Sequence, residues 1–308
     1  MAWGHNPFRW QQSINSLSIK DRKGRILIAI YETVAIIEDS RVNKLGSMNF
    51  AVNVWCIAIL PALINNCQVW NILDKEVQNE LESFQSLYFH RVLALPISVP
   101  KPAICYQANL LQMKYHIFGR FLNFMKHVFN QDPGNLAKEV LTEQLENGWD
   151  GPSKDAITIQ EMLGITGVFD PEVSKDQYKK TVKEACIKSN DEDLKIRISE
   201  YKKMGAFRDE IEKGNKYFFS ESLENVRTLF KFRVDLFPAK RNFKENKEFK
   251  KENYMCDSCM TTSDENLHVL NCISYKSLRN GLDINNDSHL AWYLQKVIEI
   301  RSELRINR

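Results

Sequence analysis

Apolar positions recur along most of this chain at steps of three and four, the spacing that lays one face of a helix against a core. Ile26, Ile30, Val34, Ile37 and Leu45 mark the first such face, and Gly46 is a stop signal. Met48 to Leu60 reads as a second, very apolar helix, which Pro61 either kinks or ends by starting a new turn. Asp74 is placed to cap a third helix with a stripe of Val77, Leu81, Phe84 and Tyr88. Three prolines in 95–102 make that stretch a connector. Ile104, Ala108, Leu111, Tyr115, Phe118, Leu122, Met125 and Phe129 then predict the longest helix of the chain, ended by Asp132-Pro133-Gly134. A shorter helix over 135–147 and a loop from Gly148 to Pro152 follow.

The pattern beyond residue 152 is more charged but still helical. Ser174 with Gln177, and Ser189 with Glu192, have capping-box spacing, and Tyr178, Val182, Ala185, Leu194, Ile198 and Tyr201 supply the apolar repeat. Leu223, Val226, Phe230 and Val234 share a face of a further helix, with Arg227 and Lys231 on another. No alternating stretch longer than a few residues signals a strand, so the expected fold class is all-α. The most apolar run, Val54 to Ile64, is eleven residues long and broken by Pro61. A membrane span needs about 20 residues, so this run reads as a buried helix and no membrane partner is expected.

Charge adds a location rather than a class. The chain of 308 residues carries a formal net charge of only +3. Yet residues 225–251 hold nine cations (Arg227, Lys231, Arg233, Lys240, Arg241, Lys244, Lys247, Lys250 and Lys251) against three acids, Asp235, Glu245 and Glu248. Phe230, Phe232, Phe237, Phe243, Phe249 and Tyr254 are interleaved with them. Cations neutralise phosphates and exposed rings stack on unpaired bases, which points to single-stranded nucleic acid. The same pattern also fits a solvated linker whose phenylalanines pack back on the helices.

Of seven cysteines, Cys56, Cys67, Cys105 and Cys186 are scattered through apolar or helical stretches. That is no disulfide framework, and a reducing compartment, nucleus or cytoplasm, is expected. The other three stand with a histidine as Cys256-x2-Cys259-x8-His268-x3-Cys272. A Cys-x2-Cys turn aims two thiolates at one ion, and a His and Cys four residues apart on a short helix close a tetrahedron. Three thiolates and an imidazole suit Zn2+ rather than magnesium or calcium. Four protein ligands leave no open position, so one structural zinc is expected. Cys105 with His116, and Cys67 with His90, lack the base and orienting group of a nucleophilic site.

The chain resembles the C-terminal part of the reverse transcriptase polyprotein of LINE-type (non-LTR) retrotransposons. The resemblance rests on Val34 to Gly46 (VAIIEDSRVNKLG), Val54 to Trp70 (VWCIAILPALINNCQVW), Leu81 to Pro102 (LESFQSLYFHRVLALPISVPKP) and Leu111 to Phe124 (LQMKYHIFGRFLNF). It returns with Val226 to Asn242 (VRTLFKFRVDLFPAKRN), the Cys/His motif and the tail Asn280-Gly-Leu-Asp283. Residues 150–220 match only loosely, and Ile273 stands where such knuckles often carry proline. The resemblance implies a helical thumb/connector-like body, then a basic helix and a small CCHC zinc knuckle that helps to hold RNA or DNA. It divides the chain into a polar segment 1–25, a thumb/connector-like region 26–150, a charged helical region 151–222, a basic helix and linker 223–254, and the knuckle with a C-terminal helix 255–308. It also implies an upstream polymerase region as partner.

Polymerase chemistry needs carboxylates that hold two magnesium ions. In reverse transcriptases two of these are adjacent aspartates, and no two aspartates are adjacent in this sequence. The acidic cluster Asp191-Glu192-Asp193 fits a solvated helix start. The expected function is therefore nucleic-acid binding by a fragment that carries no catalytic residues and begins after the polymerase palm. The alternatives are a host-used protein-interaction protein stapled by zinc, a subunit that works with a separately encoded palm, and a relic without function.

Overall fold

Where each helix stops is decided by a few residues that break the ladder, and these set the architecture. The computed structural model describes residues 27–28, 30–36, 48–65, 67, 72–201, 216–234, 236–237, 255–264 and 266–306. It is mostly helical, with no strand among the described residues. The chain forms two compact units. The first draws on Met1–Ala35, Asn53–Phe89 and Lys101–Arg197, the second on Ile36–Val52, His90–Pro100 and Ile198–Arg308.

Ile30 and Val34 are buried on a helical stretch, while Ile26, Ile37, Leu45 and Gly46 lie outside the described residues. Helix α1 (Met48–Val54) runs into a π-helical turn, Trp55–Ile59, and then α2 (Leu60–Leu63). Pro61 explains the wide turn. It has no N–H and its ring would strike the carbonyl of Ile57 in a regular helix. The chain instead closes an i→i+5 bond from Leu60 N–H to the Trp55 carbonyl, and Pro61 falls in the first turn of α2. Helix α3 (Lys75–Val92) is capped by Asp74, whose Oδ1 accepts the Glu76 N–H at 2.8 Å. Leu81, Phe84 and Tyr88 are buried along it and Val77 half-buried. In the first unit, the Trp55 ring lies 5.4 Å from Tyr88 and 5.7 Å from Phe89.

Two expectations are corrected here. The helix read from Ile104 to Phe129 is two helices, α4 (Lys101–Gln107) and α5 (Met113–Phe129). Asn109 adopts φ +50°, and Leu110 N–H bonds back to the Cys105 carbonyl at 2.9 Å, closing α4 in a left-handed cap. Side chains then start α5 from outside: the Gln112 amide donates to Asn190 Oδ1 at 2.9 Å and the Met113 amide to Glu82 Oε1 at 2.7 Å. The apolar period carries across the break because residues on both sides, from Ile104 and Ala108 to Tyr115, Phe118, Leu122 and Met125, are buried. The second correction concerns Ser189. Ser174 does cap, accepting from the Gln177 amide at 3.3 Å, but Ser189 lies inside one continuous helix, α8 (Lys175–Ser199). Its carbonyl accepts the Tyr115 hydroxyl at 3.0 Å. Every fourth residue from Tyr178 to Ile198 is buried, including Asn190, whose polarity is spent on Gln112 and Leu110.

Helix α6 (Leu136–Asn147) begins at Asn135, whose Oδ1 accepts from the Ala137 amide at 3.0 Å, and ends at Gly148 with φ +63°. Helix α7 (Pro152–Leu163) lies in the region 151–222 expected to be helical, with Pro152 in its first turn, Gly164 after its last and Ala156, Ile159 and Leu163 buried. Helices α5, α6 and α7 pack on one another. Lys126, buried on α5, donates to the carbonyls of Gly167 at 3.1 Å and Asp170 at 2.5 Å and so ties down the loop after α7.

The second unit contains α9 (Lys216–Ser220), α10 (Leu223–Arg233), α11 (Asn266–Asn271), α12 (Lys276–Arg279) and α13 (Asp287–Ile306). Ser222 caps α10, and Leu223, Val226, Phe230 and Val234 are buried as the period requires. Helix α10 packs against α13.

Candidate metal centre

A small loop and a short helix bring the four expected ligands together. Met255 and Ser263 form an antiparallel bridge, and the Cys256 amide donates to the Thr262 carbonyl at 2.9 Å. Between them the chain reverses, with the Met260 amide on the Cys256 carbonyl at 2.9 Å and Met260 at φ +54°. This turn points the Cys256 and Cys259 thiols to one side. His268 sits on α11, and Cys272 follows that helix directly, at the start of a 3-10 turn.

The ligand atoms of Cys256, Cys259, His268 and Cys272 all lie within 4.8 Å of one another, so the cluster could hold a metal ion. Cys256 Sγ is 3.9 Å from Cys272 Sγ, and Cys259 Sγ is 3.4 Å from His268 Nε2. A tetrahedral zinc with Zn–S near 2.3 Å and Zn–N near 2.05 Å has S–S edges of about 3.8 Å and S–N edges of about 3.6 Å. These two edges therefore fit such an ion. His268 Nδ1 is 2.7 Å from the Thr262 hydroxyl, which holds the ring so that Nε2 faces the sulfurs. Cys256 and Cys272 are fully buried; Cys259 and His268 are partly exposed.

The electrostatics of the cluster ask for a cation. Burial pushes the Cys272 thiol up, and the Cys256 charge beside it works in the same direction. Burial would also raise Cys259, but hydrogen bonds from the Thr261 hydroxyl, at 3.0 Å, and from the Thr261 and Thr262 amides outweigh it and bring that thiol down. A divalent ion would stabilise the thiolate form of these cysteines. Outside the cluster, burial pushes Cys67 and Cys186 up to about 11, which keeps them as inert thiols.

The expected nucleic-acid residues divide sharply. Lys240, Arg241, Lys244, Lys247, Phe249, Lys250 and Lys251 lie outside the described residues. Of the three cations on α10, Arg233 points inward, which corrects its reading as a phosphate ligand. It is buried, pairs with Asp287 Oδ1 at 2.8 Å and stacks its guanidinium 3.9 Å from the centre of the Tyr217 ring. Arg227 is half-buried and donates through Nε to the Val92 carbonyl at 2.8 Å. Lys231 is also half-buried; burial and then the neighbouring Arg227 lower its pKa. Phe230, Phe232 and Phe237 are buried and unavailable for stacking.

Sequence reasoning did not single out Ser258, Thr262, Asp264 and Tyr275 around the ligands, nor Tyr293 and Arg301 of α13. Only their closeness in sequence could have flagged the first four; the last two stand far from any ligand. Among the described residues no helix is long and apolar enough to cross a membrane. Comparison with protein-family models, with curated proteins and with solved structures gives no match.

Proposed function

We propose that this chain binds single-stranded RNA or DNA through residues 225–272, with one structural zinc on Cys256, Cys259, His268 and Cys272. This is the role that the thumb, connector and knuckle of a LINE-type reverse transcriptase would have. The chain brings no polymerase carboxylates of its own. The observation that carries the reading is a closed Cys3His cluster directly after a window of nine cations. A positive stretch attracts phosphates, and a metal-braced loop gives them a fixed neighbour. With Arg233 engaged inside the fold and Arg227 tied by its Nε to the Val92 carbonyl, the charge offered to phosphates rests on the other seven cations of that window. If four of them engage, the log–log salt slope for a single strand is roughly −3, from about 0.7 per phosphate.

Fluorescence anisotropy with a labelled single strand over a salt series tests this. Replacing Lys247, Lys250 and Lys251 together by Ala flattens the slope by about 2. Replacing Phe249 by Ala weakens binding and leaves the slope alone. No binding at low salt would sink the reading. A second reading is favoured by one observation: Met260, Leu267 and Ile273, each next to a metal ligand in sequence, are 61%, 64% and 71% exposed. Apolar side chains of that exposure on a zinc-stapled loop suit a protein partner. A chain that holds zinc but fails to bind nucleic acid at low salt would be read that way.

A further inference from the structure

The metal loop is tied to the C-terminal helix by a buried polar chain that starts inside the ligand turn. Ser258, between Cys256 and Cys259, shares a hydrogen bond with the Tyr275 hydroxyl, and its carbonyl accepts the Ser274 hydroxyl at 2.8 Å. The same Tyr275 oxygen accepts Arg301 Nε at 3.1 Å. The two remaining nitrogens of Arg301 fork onto Asp264, Nη2 to Oδ1 at 2.6 Å and Nη1 to Oδ2 at 3.2 Å. Asp264 lies between the two ligand pairs in sequence. Both partners are nearly inaccessible, with side chains 7% and 3% exposed. A second strap holds the other ligand pair. Tyr293 donates its hydroxyl to the Val269 carbonyl at 2.5 Å, one residue after His268, and Arg279 donates to the Cys272 carbonyl at 2.8 Å and to Tyr293 at 3.2 Å.

We infer that α13 is an outer part of the metal centre, and that Arg301 is a positioning residue for its four ligands. The reasoning is geometric. A planar guanidinium with every nitrogen engaged fixes two groups at once, Tyr275 and Asp264, which stand on either side of His268 and Cys272 in sequence. Arg301 also lies 6.0 Å from the ring of buried Phe237. It thus touches both the end of the α10 region and the metal loop. A buried carboxylate cannot lose such a partner cheaply, so loop and helix must order together. Groups that orient metal ligands from behind typically change metal affinity 10–100-fold when removed.

The inference rests on the metal reading, and the test separates the two. Zinc affinity is measured on the full chain by chelator competition, for wild type, Tyr275→Phe, Arg301→Met and the charge-neutral double variant Asp264→Leu with Arg301→Met. Cobalt-substituted spectra report whether three thiolates and one imidazole still coordinate. Wild type is expected to bind tightly. The expected loss is tenfold or more for Arg301→Met and smaller for Tyr275→Phe. The double variant is expected to keep the loss although it leaves no unpaired buried charge. The cobalt bands should keep their positions. Hydrogen exchange on wild type, with and without zinc, supplies a readout that needs no variant: amides of 290–301 should lose protection when zinc is removed. No metal on wild type would end the metal reading itself. Tight wild-type binding with all variants within twofold would overturn the inference alone. So would unchanged protection of 290–301 on zinc removal, even if Arg301→Met failed to fold.

Discussion

Around Phe121 the chain is held by rings and aliphatic side chains; around Cys256 it is held by thiols, an imidazole and an ion pair. In the first unit, α5 buries Ile117, Phe118, Phe121, Leu122 and Met125, and the buried polar side chains of Asn190 and Gln112 are spent on one another at the start of α5. In the second unit, the described residues of 255–272 that are buried are Cys256, Asp264, Val269 and Cys272. An apolar core loses stability in increments as contacts are removed. A loop braced by a cation and a buried charge pair depends on a few groups, each of which must be present and in the right protonation state. With the proposed zinc in place, the comparison predicts that order around Cys256 depends on the ion, while order around Phe121 does not.

Removing the metal should expose that difference most strongly. Structural zinc contributes about 10–16 kcal/mol in finger peptides near pH 7. A strong chelator is therefore expected to abolish exchange protection over 255–275, while α5 and α8 keep theirs. Equal loss in both units would break the comparison.

The converse experiment acts on the core. Phe121→Ala should cost the first unit about 3–5 kcal/mol, read as a lower midpoint in chemical unfolding. Zinc per chain should stay the same, and a variant that lost its zinc would show that the units are not independent in this sense.

Mild acid should act on the first unit through His116. Burial holds its pKa at about 4, against 6.5 for an ordinary histidine, and a backbone hydrogen bond with Leu111 offsets only part of that. Between those values the unfolded chain binds a proton that the folded chain refuses, so stability falls as pH drops from about 6.5 towards 4. The expected loss is about 1–3 kcal/mol for a shift of this size on a partly exposed ring. His116→Gln should flatten the pH dependence of the first unit's unfolding. An unchanged slope would remove His116 from the account.

The smallest effect is local. Asn135→Ala deletes the cap of α6 and should cost about 1 kcal/mol. It should raise exchange at the first turn of α6 and leave the zinc content as it was.

How far these features could be read in advance depended on how local their causes are. The ligand set was legible because Cys-x2-Cys and His-x3-Cys are short-range geometry. The stripes on α3 and α10 were legible because burial follows a helical period. The break at Asn109 was not, since the period continues across it and its support comes from Asn190, eighty-one residues away in sequence. Ser189 misled for the opposite reason: capping-box spacing also occurs by chance inside a helix. Arg233 looked like its neighbours in a cationic window, and only the packing of α10 on α13 turns it towards Asp287. Arg301 had no signal at all, because its partner Asp264 is brought to it by tertiary structure.

Elemental analysis of the full chain, expressed with adequate zinc and purified without chelator, tests the centre of this account most directly. One zinc per chain is expected for wild type, and close to none for Cys259→Ser at unchanged helix content of the body. Wild-type chain without stoichiometric zinc, or Cys259→Ser that retains it, would contradict the assignment of Cys256, Cys259, His268 and Cys272 as a closed metal centre.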